Sequence, residues 1–292
     1  MSKKVGVIGF GKWGKALTKV LCNASNDVMI YTRQDCNDLS KIYREVKFLN
    51  DLSKLIKFSD VVVITTKASD VELLIEQLQV EKLKIKNCII SSKGFSENGL
   101  LLSEVISDIA NEVSVLAGPN FAHEIIDGKL TISILGGNVD DVFSCNQFKV
   151  ERCRDIIGLQ VCSIMKNIYA IGCGIVSAQF DSENTKAAFI TMVFNELIAA
   201  IEMFGGEKET IYNAAGIGDL ILTCYSKNSR NHMFGEMFVN GNIDKTVTVE
   251  GCDSIMRIRS DIREKLPICD KIYKIIINNE NPQVFINTVF NY

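Results

Sequence analysis

The chain opens with an unbroken apolar run, Val5-Gly6-Val7-Ile8, that leads into the glycine-rich stretch Gly9-Phe10-Gly11-Lys12-Trp13-Gly14 and then into residues 15–23, which have helical character. Five more β-type runs follow at 27–32, 60–66, 88–92, 113–117 and 131–135. Apolar residues at helical spacing fill the intervals, as in Val71-Leu74-Ile75-Leu78 and Leu101-Val105-Ile106-Ile109. Continuous Val/Ile-rich runs separated by helices predict a parallel sheet covered on both faces. After about residue 157 the pattern changes. Residues 161–180 and 186–204 are long and apolar nearly all round, which predicts helices buried in a helical core, with Gly205-Gly206 ending the second. Pro119, Pro267 and Pro282, the three prolines, interrupt neither.

The turn after the first strand is a complete G-x-G-x-x-G. Gly9 permits the tight turn, Gly11 lets backbone approach a pyrophosphate, and Gly14 lets the helix pack close to the strand. The helix N-terminus then offers free N–H groups and a positive dipole end to the phosphates. These features predict an α/β fold: a Rossmann-type doubly wound sheet over residues 1–157, followed by an all-helical substrate domain over 158–292. Sheets that bind NAD usually carry an acidic residue at the tip of the second strand, where it holds the ribose hydroxyls. Here the strand ends Tyr31-Thr32-Arg33, with an arginine and no acid. An arginine pairs with a 2′-phosphate, so NADPH/NADP is the expected preference and NADH/NAD a usable alternative; the bland alternative is that Arg33 is a solvated loop residue.

Composition narrows the picture. The 292 residues are 47% hydrophobic and 23% charged, an ordinary globular balance. A net charge of −3 leaves no positive excess for a nucleic-acid backbone. Ten cysteines without a C-x-x-C pair, and only two histidines, argue against a zinc site and for reduced thiols. The first strand begins too early for a signal peptide, and no run of ~18 apolar residues occurs. A cytoplasmic protein with no membrane span is expected.

Polar groups collect in five otherwise apolar or glycine-rich segments: Ser92-Lys93-Gly94, Ala117-Gly118-Pro119-Asn120-Phe121-Ala122-His123-Glu124, Met165-Lys166-Asn167, Ala215-Gly216-Ile217-Gly218-Asp219, and Ser229-Arg230-Asn231. Lys93 follows a strand and so sits at the binding edge of the sheet. Lys166 falls inside a buried-helix pattern, where a charge needs a reason. Burial and a second cation lower a lysine pKa and make it a workable acid and base near neutral pH. Ser229, Arg230 and Asn231 supply the donors that a phosphate needs. Alternatives remain: either lysine can snorkel or pair with a carboxylate, Asp219 can be simply the N-cap of the next helix, and His123 reads as a surface residue.

In their order along the chain these segments resemble the bacterial-type NAD(P)-dependent glycerol-3-phosphate dehydrogenases. The shared motifs are the G-x-G-x-W-G turn, the K-G loop, G-P-x-F-A-x-E, K-N-x-x-A-I-G at Lys166, A-G-x-G-D-L-x-L-T-C, S-R-N-x-x-F-G and V-E-G, and they run through essentially the whole chain. The resemblance implies reversible reduction of dihydroxyacetone phosphate to sn-glycerol 3-phosphate, which supplies the glycerophospholipid backbone. It implies Lys166 as proton donor and acceptor. Lys93, Gly118, Asn120, Asp219, Ser229, Arg230 and Asn231 would line the substrate site. Gly9, Gly11, Lys12, Trp13, Gly14, Arg33, Lys93, Ala122, Arg230, Thr248 and Glu250 would contact the dinucleotide. No metal is implied, and a homodimer is compatible with it. The chain departs from the family at Asn120, usually threonine, and at Lys186, usually arginine; Lys15 replaces a small residue, and segments before Lys166 and at the C-terminus are shorter. Two rivals are a related hydroxy-acid or sugar-acid dehydrogenase and a non-catalytic NADPH sensor. The first usually spaces its catalytic lysine and asparagine one helical turn apart, whereas Lys166 and Asn167 are adjacent; the second predicts loss of Lys93, Lys166 or Asp219, all present.

Overall fold

The structure is a computed structural model and describes residues 2–180, 182–242, 249–283 and 285. The described chain divides into two compact units, the first comprising residues 1–92 and 100–156, the second 93–99 and 157–292. The second unit thus takes in the short segment 93–99 as well as the C-terminal part of the chain.

The first unit is built on eight strands: β1 (Lys4–Ile8), β2 (Asp27–Tyr31), β3 (Lys47–Leu49), β4 (Val61–Ile64), β5 (Ile85–Ile90), β6 (Ala110–Ala117), β7 (Thr131–Gly136) and β8 (Phe148–Cys153). Its helices are α1 (Lys12–Asn23), α2 (Cys36–Ile42), α3 (Leu52–Phe58), α4 (Ala68–Val80), α5 (Leu102–Ile106) and α6 (Ala122–Ile126). The order in the sheet is β3-β2-β1-β4-β5-β6-β7-β8. From β3 to β6 every pairing is parallel, and the order reverses between β1 and β4, the switch point at which such sheets bind ligands. All four residues of β4 are buried, and Val5, Val7, Leu17, Ile30, Val63 and Ile89 lie in one apolar core.

Three expectations change. The sheet is not wholly parallel, since β7 runs antiparallel to β6; α6 packs on α1 and the chain returns beside β6 without crossing the sheet. Strands β3 and β8 carry no Val/Ile run, so the apolar pattern does not predict them. Both are sheet edges, β3 is three residues long, and Phe148-Lys149-Val150-Glu151-Arg152-Cys153 mixes charge with apolar residues. Helix α1 starts at Lys12, inside the glycine motif, with Gly11 as its N-cap.

The second unit holds α7 (Ile156–Gln179), α8 (Glu183–Met203), α9 (Asp219–Tyr225), α10 (Arg230–Val239), α11 (Glu250–Arg257), α12 (Ser260–Arg263) and α13 (Pro267–Ile276). Every residue of α7 from Gly158 to Val176 is buried. By length and composition α7 could cross a membrane, but 89% of its most apolar window is buried inside the protein. Its close neighbours are glycines. A Cβ on Gly235 would fall 2.1 Å from the Ile171 carbonyl oxygen, and one on Gly251 2.5 Å from that of Asn167, so α10 and α11 sit directly against α7 backbone. Helix α8 differs from expectation: it buries a single stripe, Phe189, Val193, Glu196, Leu197, Ala200 and Ile201. It ends as the Gly205-Gly206 pair predicts. Gly205, at φ +85°, donates its N–H to Glu202, and Gly206 donates to Ile201, which satisfies two terminal carbonyls.

Candidate active site

The glycine turn belongs to the first unit. Gly9 has φ +102°, and a Cβ there would meet Thr66 Cγ2 at 2.9 Å. A Cβ on Gly14 would strike the Gly9 carbonyl oxygen at 2.4 Å, so this glycine serves the packing of helix on strand. At Gly11 a Cβ would meet nothing within 4 Å. Nothing in the protein therefore demands glycine at that position, and the open space lies at the bare N-terminus of α1, which has no side-chain cap. The Thr65 hydroxyl is shared between the Ile8 and Gly9 carbonyls, at 3.0 and 2.9 Å, while the Thr66 Oγ1 is buried with no partner among the described residues. An open cradle, a helix with free N–H groups and an orphaned hydroxyl fit a dinucleotide pyrophosphate.

Around the turn, Lys12 is exposed at the first helical position and Trp13 donates Nε1–H to Ser91 Oγ at 3.1 Å. Lys15 lies over the rings of Phe10 and Tyr43, 5.4 and 5.9 Å from their centroids, so its charge is stacked on aromatic faces. Arg33, at the end of β2, is exposed and pairs with Asp70 at 3.4 Å. Ala122 opens α6 and packs on the core. Gly118 and Asn120 also belong to this unit. The Asn120 Oδ1 accepts from the Ser133 hydroxyl at 3.0 Å and its Nδ2 faces the Ile132 carbonyl at 3.4 Å, so β7 fixes the amide. His123 is exposed and stacks on Phe121, as a surface residue. Thr248 lies outside the described residues.

The second unit brings Lys93, Lys166 and Asp219 together. Buried on α7, the Lys166 ammonium is in direct contact with Asp219 Oδ1. Lys93 stands 3.7 Å from Asp219 Oδ2. Its segment is anchored by Phe95, fully buried and stacked on Phe204 at 5.4 Å. Asp219 is not the helix cap. Gly218 occupies that position, leaving Asp219 as the first residue of α9. Before it, Ala214–Gly218 forms a π-helical turn, held by Asn213, whose Oδ1 accepts the N–H groups of Ala215 and Gly216. Such wide turns recur at functional sites because they re-aim the next side chain. Thr223 sits one turn on, 3.3 Å from Asp219 Oδ1. The Asp219 Oδ2 is buried with no hydrogen-bond partner among the described residues.

The electrostatics divide the two lysines. Burial pushes the Lys166 pKa down from 10.5 to about 8; Asp219 opposes the fall and the Lys93 cation adds to it. At Lys93 burial also acts downward, but Asp219 and Glu250 outweigh it and hold the pKa above its ordinary value. One ammonium thus exchanges its proton near neutral pH while its neighbour stays charged.

The segment Ser229-Arg230-Asn231 opens α10 and reaches Lys166 through its neighbour Asn167. Asn231 Nδ2 donates to Asn167 Oδ1 at 2.9 Å, and Asn231 Oδ1 accepts the Gly251 N–H at 2.9 Å. Asn167 Nδ2 donates to Glu250 Oε2 at 3.3 Å, and Arg230 donates to the other Glu250 oxygen at 3.4 Å. Ser229 caps α10, its Oγ accepting the His232 N–H at 3.3 Å. Of the three expected phosphate donors, then, the Asn231 amide is committed to Asn167, Ser229 is buried as the helix cap, and Arg230 alone is exposed. Asn167, which turns toward α10 and α11, is not among the site residues that the sequence points to, although it stands next to Lys166 in the Lys-Asn pair. Lys186 pairs with Glu183 at 2.9 Å on its own helix.

The chain matches the NAD-dependent glycerol-3-phosphate dehydrogenase N-terminus over residues 4–142 and the corresponding C-terminus over 155–287. A glycerol-3-phosphate dehydrogenase [NAD(P)+] of Mesoplasma florum is 31% identical over 99% of this chain and 98% of its own length. One from Clostridium botulinum is 30% identical over 96% of this chain and 95% of its own. The crystal structure of glycerol-3-phosphate dehydrogenase from Coxiella burnetii shares the fold, with a TM-score of 0.87, 24% identity and coverage of 99% of this chain and 98% of that one. With its strand order, glycine cradle and lysine–aspartate cluster, the chain belongs to the NAD-dependent glycerol-3-phosphate dehydrogenase family.

Proposed function

We propose that the protein reduces dihydroxyacetone phosphate to sn-glycerol 3-phosphate, reversibly, with NADPH preferred over NADH, and so supplies the backbone for glycerophospholipid synthesis. The observation that carries this reading is the buried Lys166, held on Asp219 beside Lys93, with a pKa of about 8. When bound, the reduced nicotinamide supplies the hydride that the substrate's C2 takes up.

Lys166 donates its proton to the C2 oxygen as that atom becomes an alkoxide, and takes it back in the reverse direction. Lys93 keeps a fixed positive charge where negative charge develops, in a poorly solvated site where such charge counts for more than in water. Asp219 holds the Lys166 ammonium through Oδ1, and its Oδ2, 3.7 Å from the Lys93 ammonium, is available to accept from a substrate hydroxyl. Arg230, exposed, takes the substrate phosphate at a distance from the reacting carbon, with Ser229 and Asn231 shaping the helix start beneath it; binding energy there orients the carbonyl. Gly118 and Asn120 complete the substrate contacts. Gly9, Gly11, Gly14, Lys12, Trp13, Ala122, Thr248 and Glu250 hold the dinucleotide, and Arg33 selects for the 2′-phosphate. The free thiols suit a reducing compartment, the cytoplasm.

The test is oxidation of NADPH by the purified protein, with dihydroxyacetone phosphate against unphosphorylated dihydroxyacetone, then the same with NADH. Turnover only with the phosphorylated ketone is expected. Equal rates on both ketones would remove Arg230 from its role, and no turnover despite bound dinucleotide would remove the activity.

A further inference from the structure

We infer that Arg33 and Asp70 form a latch across the dinucleotide crevice, and that Asp70 sets how strongly the protein selects a 2′-phosphorylated dinucleotide. This deepens the reading of Arg33 given above and rests on it. Arg33 follows β2, and Asp70 lies in the first turn of α4, after β4. In the sheet β1 stands between these two strands. The 3.4 Å contact between the Arg33 guanidinium and Asp70 Oδ1 therefore passes over the carboxyl end of β1, the end that carries the Gly9–Gly14 turn. The acid missing from the tip of β2 is thus supplied by another element, and it is placed on the arginine instead of on a ribose.

The chemistry follows from charge. Arg33 is mostly exposed, at 73%, and Asp70 is less so, at 29%. Asp70 sits near the N-terminus of a 13-residue helix, where a carboxylate is favoured. An exposed ion pair is weak, so it opens at low cost. A 2′-phosphate, with nearly two charges and a bidentate geometry for guanidinium, displaces the carboxylate and takes Arg33. A ribose 2′-hydroxyl does not, and the pair stays closed. Asp70 thereby lowers affinity for 2′-phosphorylated dinucleotides and leaves the others untouched.

Trp13 is the only tryptophan and lies in the glycine turn, so binding can be read from its fluorescence without turnover. NADP+, NAD+, 2′,5′-ADP and 5′-ADP are titrated into the wild type, Asp70→Asn, Arg33→Ala and the double variant, with calorimetry as a check. Asp70→Asn is expected to tighten NADP+ and 2′,5′-ADP about fivefold, the scale of one close ion pair in water. NAD+ and 5′-ADP should change by less than about twofold, and in the Arg33→Ala background the gain should vanish. Weaker NADP+ binding by Asp70→Asn would overturn the latch and make Asp70 an orienting residue for Arg33. A gain that persists without Arg33 would also overturn it, since Asp70 would then act on the phosphate directly. If Arg33→Ala changes neither dinucleotide, the 2′-phosphate reading of Arg33 is what has failed, and the latch falls with it.

Discussion

Lys166 shows how one residue's chemistry is set by what surrounds it. Its pKa of about 8 lies below that of a free lysine because burial disfavours the ammonium and Lys93 repels it. Ketone reduction needs the protonated form, so kcat for reduction should fall as pH rises through about 8; alcohol oxidation needs the neutral amine and should rise over the same interval. Parallel profiles in the two directions would contradict this assignment. Lys166→Met should cost about 10²–10⁴ in kcat. Removing the ammonium also leaves Asp219 buried with only the more distant Lys93, so the variant should be compared with Lys166→Met/Asp219→Asn, whose stability should recover while its activity does not. The glycines of the turn separate in the same way. Gly11→Ala meets no protein atom and should cost about 0.5 kcal/mol at most in unfolding free energy while weakening dinucleotide binding; Gly14→Ala strikes the Gly9 carbonyl and should lower both.

Among the elements, α7, α8 and α13 meet at a single carboxylate. Glu196, on α8, accepts the N–H groups of Ile268 and Cys269 at 2.7 and 2.8 Å, the first turn of α13, and the Tyr169 hydroxyl of α7 at 3.2 Å. Burial raises its pKa, and the three hydrogen bonds oppose that rise only in part. A raised carboxylate pKa means the folded chain holds this proton more tightly than the unfolded one. The group's contribution is therefore greatest below the unfolded value of 4.5 and declines as pH rises through the folded value. Glu196→Ala leaves two buried backbone donors unpaired and should cost about 3 kcal/mol in denaturant unfolding. A loss below about 1 kcal/mol would mean that other groups satisfy α13. An acidic residue at this place in an otherwise apolar helix was visible in the sequence, but its partners, some seventy residues on, were not.

At the scale of the whole molecule, all ten cysteines are free thiols. Cys88, Cys162, Cys173, Cys224 and Cys269 are buried, and the other five are partly so. Burial pushes Cys22 up to about 11 and Cys252 to about 12, which keeps both protonated and slow at neutral pH. A thiol reagent should therefore label at most five sites in the native protein and ten after denaturation; early labelling of Cys173 or Cys224 would show that the α7–α9 region opens. The two units also frame what was legible beforehand. The apolar runs of β1, β2, β4, β5, β6 and β7, the glycine turn and the long helices α7 and α8 were each readable because their information is local: periodicity, a turn that needs glycine, a helix stop. Edge strands β3 and β8 were not, because an edge strand is defined by the neighbour that it pairs with and carries little apolar signal of its own.

The same division runs through the site. The residue types came from the sequence alone: lysines in apolar surroundings, an aspartate after a glycine-rich turn, an arginine where an acid is usual, and ordered motifs that match a family over the whole length. Which of them act together was decided only by tertiary structure. Lys93, Lys166 and Asp219 lie far apart in the chain, and their contact exists because Phe95 anchors one segment, α7 is buried, and the π-turn aims a third. Ser229 and Asn231 carry the same polar groups in the sequence as in the fold, yet packing turns the Asn231 amide N–H onto Asn167 and sets the Asn231 Oδ1 and the Ser229 Oγ to accept from Gly251 and His232. Arg33 acquires Asp70 through strand order, which no local pattern encodes. Sequence specifies the chemical groups and the local backbone; long-range packing sets their distances and dielectric surroundings, and these determine which lysine gives up its proton near neutral pH.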